Sequence, residues 1–247
     1  KRQSIRCIKK SGYKTRYENF KHLLVVKLTI IIPVYNEINT IKVLLQKVID
    51  SEVEKQIIVV DDFSIDGTRE LLIENFKNKI DKLILHEKNS GKGSAIISAK
   101  NYINGDFVII QDADLEYDPS QYHMFLKELD NKKIDALYGS RVLKKDKYTN
   151  VQNFSHKIRI WGNICLTLIS NIINKQNLTD AHTCYKMIKS DIFKSINLEE
   201  KGFAFCPELN TKLSNLGIQI HEIPINYNGR TYEEGKKISA VSYTHLT

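Results

Sequence analysis

The chain has 247 residues, of which 42% are hydrophobic and 27% charged, and this composition excludes a disordered or collagen-like protein. The net charge is +8, but nine of the 37 basic residues and only one of the 29 acidic residues lie in residues 1–27. The rest of the chain is electrically balanced. The excess charge therefore belongs to a predicted basic tail rather than to a groove on the fold, and we expect no nucleic-acid partner.

The cysteines and the distribution of apolar residues indicate the cellular setting. The four cysteines are Cys7, Cys165, Cys184 and Cys206. They lack the paired spacing of redox and metal motifs, so we expect reduced thiols and a cytoplasmic protein. No segment reaches the roughly 18 to 20 apolar residues that span a bilayer, and the first residues lack the apolar core of a signal peptide. Residues 28–238 are predicted to form one domain, and residues 239–247 stay unassigned.

Short β-branched runs alternate with helical periods in the first half of this domain. The predicted strands are Leu28–Pro33, Gln56–Val60, Lys82–Leu85, Phe107–Ile110 and Ala136–Tyr138. The predicted helices between them are Thr40–Ile49, Thr68–Phe76, Gly93–Ile103 and Pro119–Leu129. This alternation predicts an α/β fold with a mostly parallel, Rossmann-like sheet flanked by helices, and ligands at the carboxyl ends of its strands.

The alternation ends after Gly139. The segment His156–Asn174 is apolar around most of its circumference, although it begins with the basic run His156–Arg159. Such a helix is either buried in the core or lies among membrane headgroups, and of the two the core is the more common place for it. A helix over Ala204–Leu216 and a strand over Ile218–Tyr227 are predicted to complete the domain.

Acidic residues follow several predicted strands. Asp112 and Asp114, separated by Ala113, come directly after Phe107–Ile110. Two carboxylates at a strand end offer the hard oxygen ligands that Mg²⁺ and Mn²⁺ prefer, and these ions bridge the phosphates of substrates. Most isolated pairs of this kind are solvated loop acids. A second pair, Asp61–Asp62, ends a neighbouring strand, and the two pairs together favour a site for a diphosphate.

The residues around the second pair are typical of a nucleoside site. One carboxylate at this strand end can accept hydrogen bonds from a base edge or from ribose hydroxyls. Ser64 and Asp66 are predicted to cap the helix that follows. The segment Pro33–Glu37 adds a rigid turn, the aromatic ring of Tyr35 and an acid where a nucleoside is expected to lie.

The glycine-rich stretch Asn89–Gly93 matches neither of two common phosphate motifs. A Walker loop requires Ser or Thr after its lysine, and this sequence has Gly93 there; a G-x-G-x-x-G motif fails because position 96 is Ile96. The sequence therefore supports neither an NTPase nor a dinucleotide-dependent oxidoreductase. Lys92 nevertheless stands at the start of a predicted helix, where N–H groups and a cation favour an anion.

Taken in order, five motifs resemble those of family 2 glycosyltransferases of the GT-A fold. The motifs are Pro33–Glu37, Asp61–Thr68, Asn89–Gly93, Gln111–Glu116 and Gly139–Arg141. The chain is most similar to the dolichyl-phosphate mannosyltransferase group and its bacterial polyprenyl-phosphate relatives, over about residues 28–238. The resemblance implies inverting sugar transfer from a nucleotide-diphosphate-sugar with Mg²⁺ or Mn²⁺. It also implies a polyprenyl phosphate acceptor and peripheral contact with the cytoplasmic face of a membrane.

The resemblance also implies roles for individual residues. Those for nucleotide-sugar binding are Pro33, Tyr35, Glu37, Asp61, Asp62, Lys92, Asp112, Ala113 and Asp114. Those for the metal are Asp112, Asp114 and Glu116, the last of which stands where relatives often have Gln. Those for the acceptor phosphate are Arg141, Arg230 and Arg159, since guanidinium groups bind phosphate bidentately. The catalytic residues are Asp180 and Asp114.

The part played by Asp180 separates the alternatives. A phosphate acceptor is already ionised near neutral pH and needs no general base, whereas a saccharide or protein hydroxyl needs proton removal. A nucleotidyltransferase is a weaker alternative, because no glycine-rich basic loop follows the first predicted strand. A non-catalytic binding module is also disfavoured, because the acids of a metal site are complete.

Overall fold

The structure is a computed structural model, and it describes residues 26–129, 133–143 and 154–229, with the backbone alone described for residues 154–160. Nearly all of the predicted basic tail, Arg230 and residues 239–247 lie outside this part of the chain. The side chain of Arg159 lies outside it as well.

Seven strands form one sheet in the order β3-β2-β1-β4-β6-β5-β7. They are β1 (Leu28–Val34), β2 (Lys55–Asp61), β3 (Lys82–Leu85), β4 (Phe107–Ile110), β5 (Ala136–Ser140), β6 (Lys186–Lys189) and β7 (Ile220–Pro224). Only β6 runs antiparallel to its neighbours β4 and β5. The carboxyl ends of the parallel strands therefore meet at one edge of the sheet, as the alternating sequence pattern predicts.

Helices cover both faces of this sheet. In the described residues they are α1 (Ile41–Asp50), α2 (Thr68–Asn75), α3 (Lys92–Ala99), α4 (Tyr122–Leu129), α5 (Phe154–Asn174), α6 (Ser190–Ser195) and α7 (Phe205–Asn215). Apolar side chains of α1, α2 and α4 pack on one face, and those of α3, α6 and α7 on the other. The two cores confirm the predicted α/β fold.

The structure departs from several of the predicted elements. The sequence did not indicate β6 or α6, because Lys186 and Lys189 at the ends of β6 hide its strand pattern. The helix predicted to start at Gly93 ends at Ala99 and continues as a 3₁₀ turn through Tyr102. The last strand is shorter than predicted and covers Ile220–Pro224.

Helix α5 has its apolar side outward, so the interpretation as a buried core helix is wrong. Its exposed side carries a stripe that we call the outer stripe: Trp161, Ile164, Leu168, Ile169, Ile172 and Ile173. Trp161 is 69% exposed and Ile172 is 79% exposed. The side toward the protein is mostly polar, and Thr167, Ser170 and Asn174 are buried there. Among the helices that the structure describes, none is long and apolar enough to cross a membrane.

Candidate active site

The candidate site lies in the loops that follow β1, β2, β4 and β5. Three of these loops contain a non-glycine residue with a left-handed backbone: Asn36 has a φ of 51°, Phe63 of 65° and Leu115 of 64°. This conformation costs about 1 kcal/mol or more and is concentrated at functional sites. Three of the four such residues in the described part of the chain therefore fall at the edge of the sheet where the acidic motifs lie; the fourth, Lys175, follows α5.

The loops after β1 and β2 are fastened to each other. The Asn36 N–H donates to Oγ of Ser64 at 2.9 Å, and the Ile65 N–H donates to Oδ1 of Asn36 at 2.8 Å. Ser64 thus links two loops, and the prediction that it caps α2 is wrong. The N-cap position of α2 is Gly67, and Asp66, one residue earlier, accepts a hydrogen bond at Oδ1 from the Thr68 N–H at 3.1 Å.

Three predicted nucleotide-binding residues lie at the end of β1 and in the loop that follows it. Pro33 is the penultimate residue of β1, and the Tyr35 side chain is 38% exposed. The Glu37 N–H donates to Oγ1 of Thr68 at 3.0 Å, and Oε2 of Glu37 accepts a hydrogen bond from Thr40 at 2.8 Å. These contacts hold the loop against the start of α2, on the side of the site next to Asp61.

Asp61 is the last residue of β2 and is fully buried. Its Oδ2 accepts hydrogen bonds from Nε of Arg69 at 2.6 Å and from the Ser64 N–H at 3.3 Å. Its Oδ1 is buried and has no hydrogen-bond partner within the described ranges. Buried carboxylate oxygens almost always accept hydrogen bonds, so this atom is suited to a donor group on a ligand.

Asp62 has a different environment from its neighbour. Its Oδ1 accepts from the Ser90 N–H at 2.9 Å and lies 2.7 Å from Nδ1 of His86. Its Oδ2 accepts from the Gly91 N–H at 2.7 Å. Both oxygens therefore hold the glycine-rich loop in place, and the geometry favours a supporting role for Asp62 over the predicted direct contact with the nucleotide.

The glycine-rich loop lies against a second backbone segment. A Cβ atom at Gly93 would be 2.1 Å from the carbonyl oxygen of Glu200, and one at Gly91 would be 2.5 Å from that of Lys201. The Lys201 carbonyl also accepts a hydrogen bond from the Ser94 N–H at 3.0 Å. Only glycine allows this approach, which explains why the loop is rich in glycine without matching a phosphate motif.

Lys92, the first residue of α3, forms an ion pair with Asp112. Its Nζ also lies 3.2 Å from Sγ of Cys184. Burial of Lys92 favours the neutral amine, but the attraction of Asp112 outweighs it and holds the pKa of Lys92 above its usual range. The acidic motif after β4 therefore already faces a cation from the glycine-rich loop.

The carboxylates after β4 are chemically suited to a divalent ion. Asp112 and Asp114 supply hard oxygen atoms, and the small side chain of Ala113 between them is buried. Oδ1 of Asp114 accepts from the Glu116 N–H at 3.1 Å, and Oε2 of Glu116 accepts from the Tyr227 hydroxyl at 2.5 Å. Over the described ranges, no group of three or more His, Cys, Asp or Glu side chains is arranged to hold a metal ion. The fit to a metal therefore rests on the chemistry of the carboxylates.

Arg141 follows β5 and makes a two-pronged ion pair with Asp180. Nε of Arg141 donates to Oδ2 at 2.7 Å, Nη2 donates to Oδ1 at 2.8 Å, and the Arg141 backbone N–H donates to Oδ2 at 3.1 Å. Burial of Asp180 favours its neutral form, but the Arg141 guanidinium and these hydrogen bonds hold the pKa of Asp180 below its usual range. Asp180 is therefore an ionised carboxylate whose oxygens are already occupied.

Aromatic contacts join the Lys92 side of the site to the Arg141 side. The Cys184 N–H donates to the hydroxyl of Tyr117 at 3.2 Å, and the rings of Tyr117 and Tyr227 are 5.1 Å apart. The Arg141 guanidinium lies 5.3 Å from the centre of the Tyr227 ring. The structure thus brings the acids after β4 and the Arg141–Asp180 pair into one continuous region.

Several residues of this region were not predicted from the sequence: Arg69, His86, Asn163, Glu222 and Tyr227. Each contributes through a partner that lies outside its own helix, strand or loop; for example, Oε1 of Glu222 accepts from the Asp180 N–H at 3.0 Å. No local pattern marks such contacts. Asn163 alone had a signal in the sequence, because it is a polar residue within an otherwise apolar helical segment.

Comparisons with known proteins agree with this arrangement. The family profile described as "Glycosyl transferase family 2" matches residues 29–196. An undecaprenyl-phosphate mannosyltransferase of Micrococcus luteus is 30% identical over 213 residues, which are 83% of this chain and 85% of that protein. A dolichol-phosphate mannosyltransferase of Pyrococcus furiosus is 26% identical over 90% of this chain and 62% of its own length. The chain thus spans less than two thirds of the second relative.

Solved structures share the fold. Glucosyl-3-phosphoglycerate synthase from Mycobacterium tuberculosis, in complex with Mg²⁺ and UDP, has a TM-score of 0.65 at 16% identity, covering 88% of this chain and 77% of that one. The same synthase with Mn²⁺, UDP and phosphoglyceric acid has a TM-score of 0.62, covering 85% and 73%. At this level of identity the likeness concerns the fold.

Proposed function

The chain belongs to glycosyl transferase family 2 and has the GT-A fold, and on this basis we propose that it transfers a sugar, with inversion, from a nucleotide-diphosphate-sugar to a polyprenyl phosphate. The proposed place is the cytoplasmic face of a membrane. The two mannosyltransferases described above support this acceptor, since their names specify undecaprenyl phosphate and dolichol phosphate.

The loops after β1 and β2 form the proposed nucleoside site. The buried Oδ1 of Asp61 accepts a hydrogen bond from the base, which supplies the partner that the described residues do not provide. Pro33, Tyr35 and Glu37 border the nucleoside from the neighbouring loop. Asp62 acts indirectly by holding the glycine-rich loop, and that loop presents Lys92 to the phosphates.

Asp112 and Asp114 hold the proposed Mg²⁺ or Mn²⁺, with Glu116 beside them and Ala113 between them. The synthase structures that contain UDP with one or the other of these ions support the assignment. When bound, the ion offsets the negative charge of the departing nucleoside diphosphate. Lys92 adds a positive charge next to Asp112 and stabilises the same phosphates.

The Arg141–Asp180 pair is the observation that carries the proposed acceptor. Asp180 is ionised, but Arg141 already occupies both of its oxygens, so it orients the guanidinium instead of removing a proton. The two side-chain hydrogen bonds use two of the five N–H donors of the guanidinium, and a phosphate can bind to the others. A phosphate nucleophile needs no base. We also assign Arg230 and Arg159 to the acceptor phosphate on the strength of their sequence positions.

The outer stripe of α5 is the proposed membrane contact. Its apolar side chains are exposed while polar side chains face the protein, the reverse of a helix that packs on a core. The sequence of the helix also has a basic run, His156–Arg159, near its beginning, and positive charge there suits anionic headgroups. A bilayer surface accommodates both the exposed apolar side chains and the basic run. It also holds the hydrocarbon chain of a polyprenyl acceptor. The described cysteines are free, which suits the proposed cytoplasmic setting.

A matched pair of acceptors tests the proposal. The protein is incubated with Mn²⁺, labelled UDP- or GDP-sugars and vesicles that contain either undecaprenyl phosphate or undecaprenol. We expect labelled lipid with the phosphate and none with the alcohol. Equal transfer to both lipids, or transfer to a soluble saccharide in preference to the lipid, would assign the chain to hydroxyl acceptors instead.

A further inference from the structure

Three polar side chains on the protein-facing side of α5 form a second stripe, which we call the inner stripe. Asn163, Thr167 and Asn171 are spaced by four residues and so lie on one side of the helix. Asn171 makes two hydrogen bonds with the backbone of Leu178, at 2.8 and 2.9 Å, and Oγ1 of Thr167 accepts from the Ala181 N–H at 3.3 Å. The inner stripe thus fastens the helix to the segment that carries the candidate catalytic carboxylate.

Asn163 is the member of the inner stripe that bonds to the carboxylate itself. Its Nδ2 donates to Oδ1 of Asp180 at 3.2 Å, and the same oxygen accepts from Nη2 of Arg141. Rotation of the carboxylate would break the two-pronged pair with Arg141. The Arg141 backbone N–H opposes that rotation at Oδ2, and the Asn163 amide opposes it at Oδ1, where it is the bond that comes from α5.

We propose that Asn163 is a positioning residue, which fixes the plane of the Asp180 carboxylate and thereby aims the Arg141 guanidinium at the acceptor phosphate. The acceptor part of this inference rests on the proposed function. The positioning part concerns Arg141 alone. Because the same helix carries the outer stripe, Asn163 also connects the proposed membrane contact to the acceptor side of the site.

Arg141 and Asn163 are the described residues whose side chains donate to the Asp180 carboxylate. Glu222 bonds to the Asp180 backbone and not to its side chain, and Lys186 donates to the carbonyl of Ala181. His182 is neutral at physiological pH, because burial and the nearby Lys186 lower its pKa to about 4. Replacing the neutral amide with an acid, as in Asn163→Asp, would place a second carboxylate beside Asp180.

Steady-state kinetics provide the first test. We expect Asn163→Ala to raise the KM for undecaprenyl phosphate about tenfold with the donor KM unchanged, and Asn163→Gln to recover part of the loss. Asn171→Ala is the matched control, since it removes two hydrogen bonds of the same stripe without touching Asp180. It should lower the Tm and leave the acceptor KM within twofold. Equal acceptor KM values for Asn163→Ala and the wild type would overturn the proposal.

A second measurement does not depend on the reaction. In protein labelled with ¹⁵N-arginine, the Nε–H resonance of Arg141 is assigned by its loss in Arg141→Lys. We expect Asn163→Ala to speed its exchange with water several-fold and Asn171→Ala to leave the rate unchanged. An unchanged rate in Asn163→Ala would overturn the positioning role even if the wild type transfers sugar to lipid. If Asn163→Ala speeds the exchange but the wild type transfers no sugar to lipid, the proposed function is refuted and the positioning role stands.

Discussion

Arg69 bonds to one oxygen of Asp61, and the other oxygen has no partner among the residues that the structure describes. Nε of Arg69 donates to Oδ2 at 2.6 Å, and the same guanidinium donates through Nη2 to the His86 carbonyl at 2.6 Å. Oδ1 of Asp61 is buried and accepts no hydrogen bond from the described part of the chain. The arginine thus fixes the carboxylate in an orientation in which its unpaired oxygen can meet a ligand.

Replacing Asp61 with asparagine is expected to weaken nucleotide binding by about 10- to 100-fold. A hydrogen bond to a charged group contributes about 1.5–3 kcal/mol. The asparagine amide has no charge, and it has only one oxygen to accept from both Arg69 and the base. Isothermal titration calorimetry with UDP and GDP in the presence of Mn²⁺ measures the change. Both bases offer a ring N–H to Oδ1, whereas the ring nitrogen of cytosine accepts, so CDP should bind the wild type more weakly.

Asp81→Asn is the control for this experiment. Oδ2 of Asp81 accepts from the Ile57 N–H at 2.7 Å, near the beginning of β2 and away from the site. This variant should lower the Tm without changing nucleotide affinity. If Asp81→Asn weakened nucleotide binding as much as Asp61→Asn did, the loss of affinity would come from lower stability of the fold. A direct contact between Asp61 and the nucleotide would then be unsupported.

Lys92→Met is expected to make the stability of the protein depend on a divalent ion. Removing one partner of a largely buried pair leaves the Asp112 carboxylate without its cation, which costs about 1–3 kcal/mol at a partly exposed site. Mn²⁺ at the same carboxylate replaces the lost charge. Thermal unfolding should therefore show a larger Mn²⁺-induced rise in Tm for Lys92→Met than for the wild type.

Lys100→Met separates this effect from the loss of any lysine. Lys100 donates to the backbone carbonyl of Ile196 and forms no described ion pair with a carboxylate. Its replacement should leave the response to Mn²⁺ as in the wild type. Identical Mn²⁺ shifts for all three proteins would argue against Asp112 as a metal ligand.

Asp180→Asn is expected to change how the free energy of unfolding depends on pH. It is not expected to remove a limb from the pH–rate profile of sugar transfer. The folded-state pKa of Asp180 is depressed below the unfolded value of about 3.9. Its contribution to stability is therefore present above pH 4 and is lost as pH falls through the folded-state pKa. The variant should be less stable than the wild type at pH 7, and the gap should narrow as the pH falls below 4.

The rate measurement distinguishes a phosphate from a hydroxyl acceptor. A phosphate monoester itself titrates near pH 6, so a limb in that region should persist in both the wild type and Asp180→Asn. The acceptor KM should rise in the variant, because Arg141 loses its charged partner. A limb that disappears in Asp180→Asn would identify Asp180 as a general base.

The sequence predicted the carboxyl ends of the first five strands to within two residues, because β-branched runs and the acids after them are local features. It placed Asp61, Asp112 and Arg141 at one edge of a parallel sheet, and the structure has them there. It could not predict that Asp62 holds the glycine-rich loop or that Lys92 pairs with Asp112, because these contacts depend on the packing of α3. The orientation of α5 was equally hidden, since a period of apolar residues does not reveal which side faces the protein.

Gly93→Ala is expected to destabilise the protein, and Gly162→Ala is its matched control. A methyl group at Gly93 would lie 2.1 Å from a backbone carbonyl, so the segment at Glu200 must move away from the start of α3. At Gly162, in α5, a methyl group meets nothing within 4 Å. The control should be neutral or more stable by about 0.5–1 kcal/mol, owing to the better helix propensity of alanine. Tm values measured by circular dichroism test the difference, and equal losses would contradict the close approach.

The outer stripe of α5 predicts a fluorescence change on membrane binding. Trp161 is the one tryptophan of the chain, and its side chain is 69% exposed. Adding vesicles of phosphatidylglycerol and phosphatidylcholine should shift its emission to shorter wavelength, because the indole enters a less polar layer. The emission shift should become smaller when salt is added or when the vesicles contain less phosphatidylglycerol. The reason is that the basic run His156–Arg159 contributes to the attraction between the helix and anionic lipid.

Ile172→Asp should reduce this vesicle affinity by tenfold or more, because burying one large aliphatic side chain contributes about 1.5–3 kcal/mol and the new charge opposes insertion. Val43→Asp on α1 is the control, because Val43 is also exposed, at 49%, but lies outside the stripe. Flotation with the same vesicles gives an independent measure of binding. Equal losses for the two variants would show that binding is not made by the outer stripe, and an unchanged emission spectrum would place Trp161 away from the lipid.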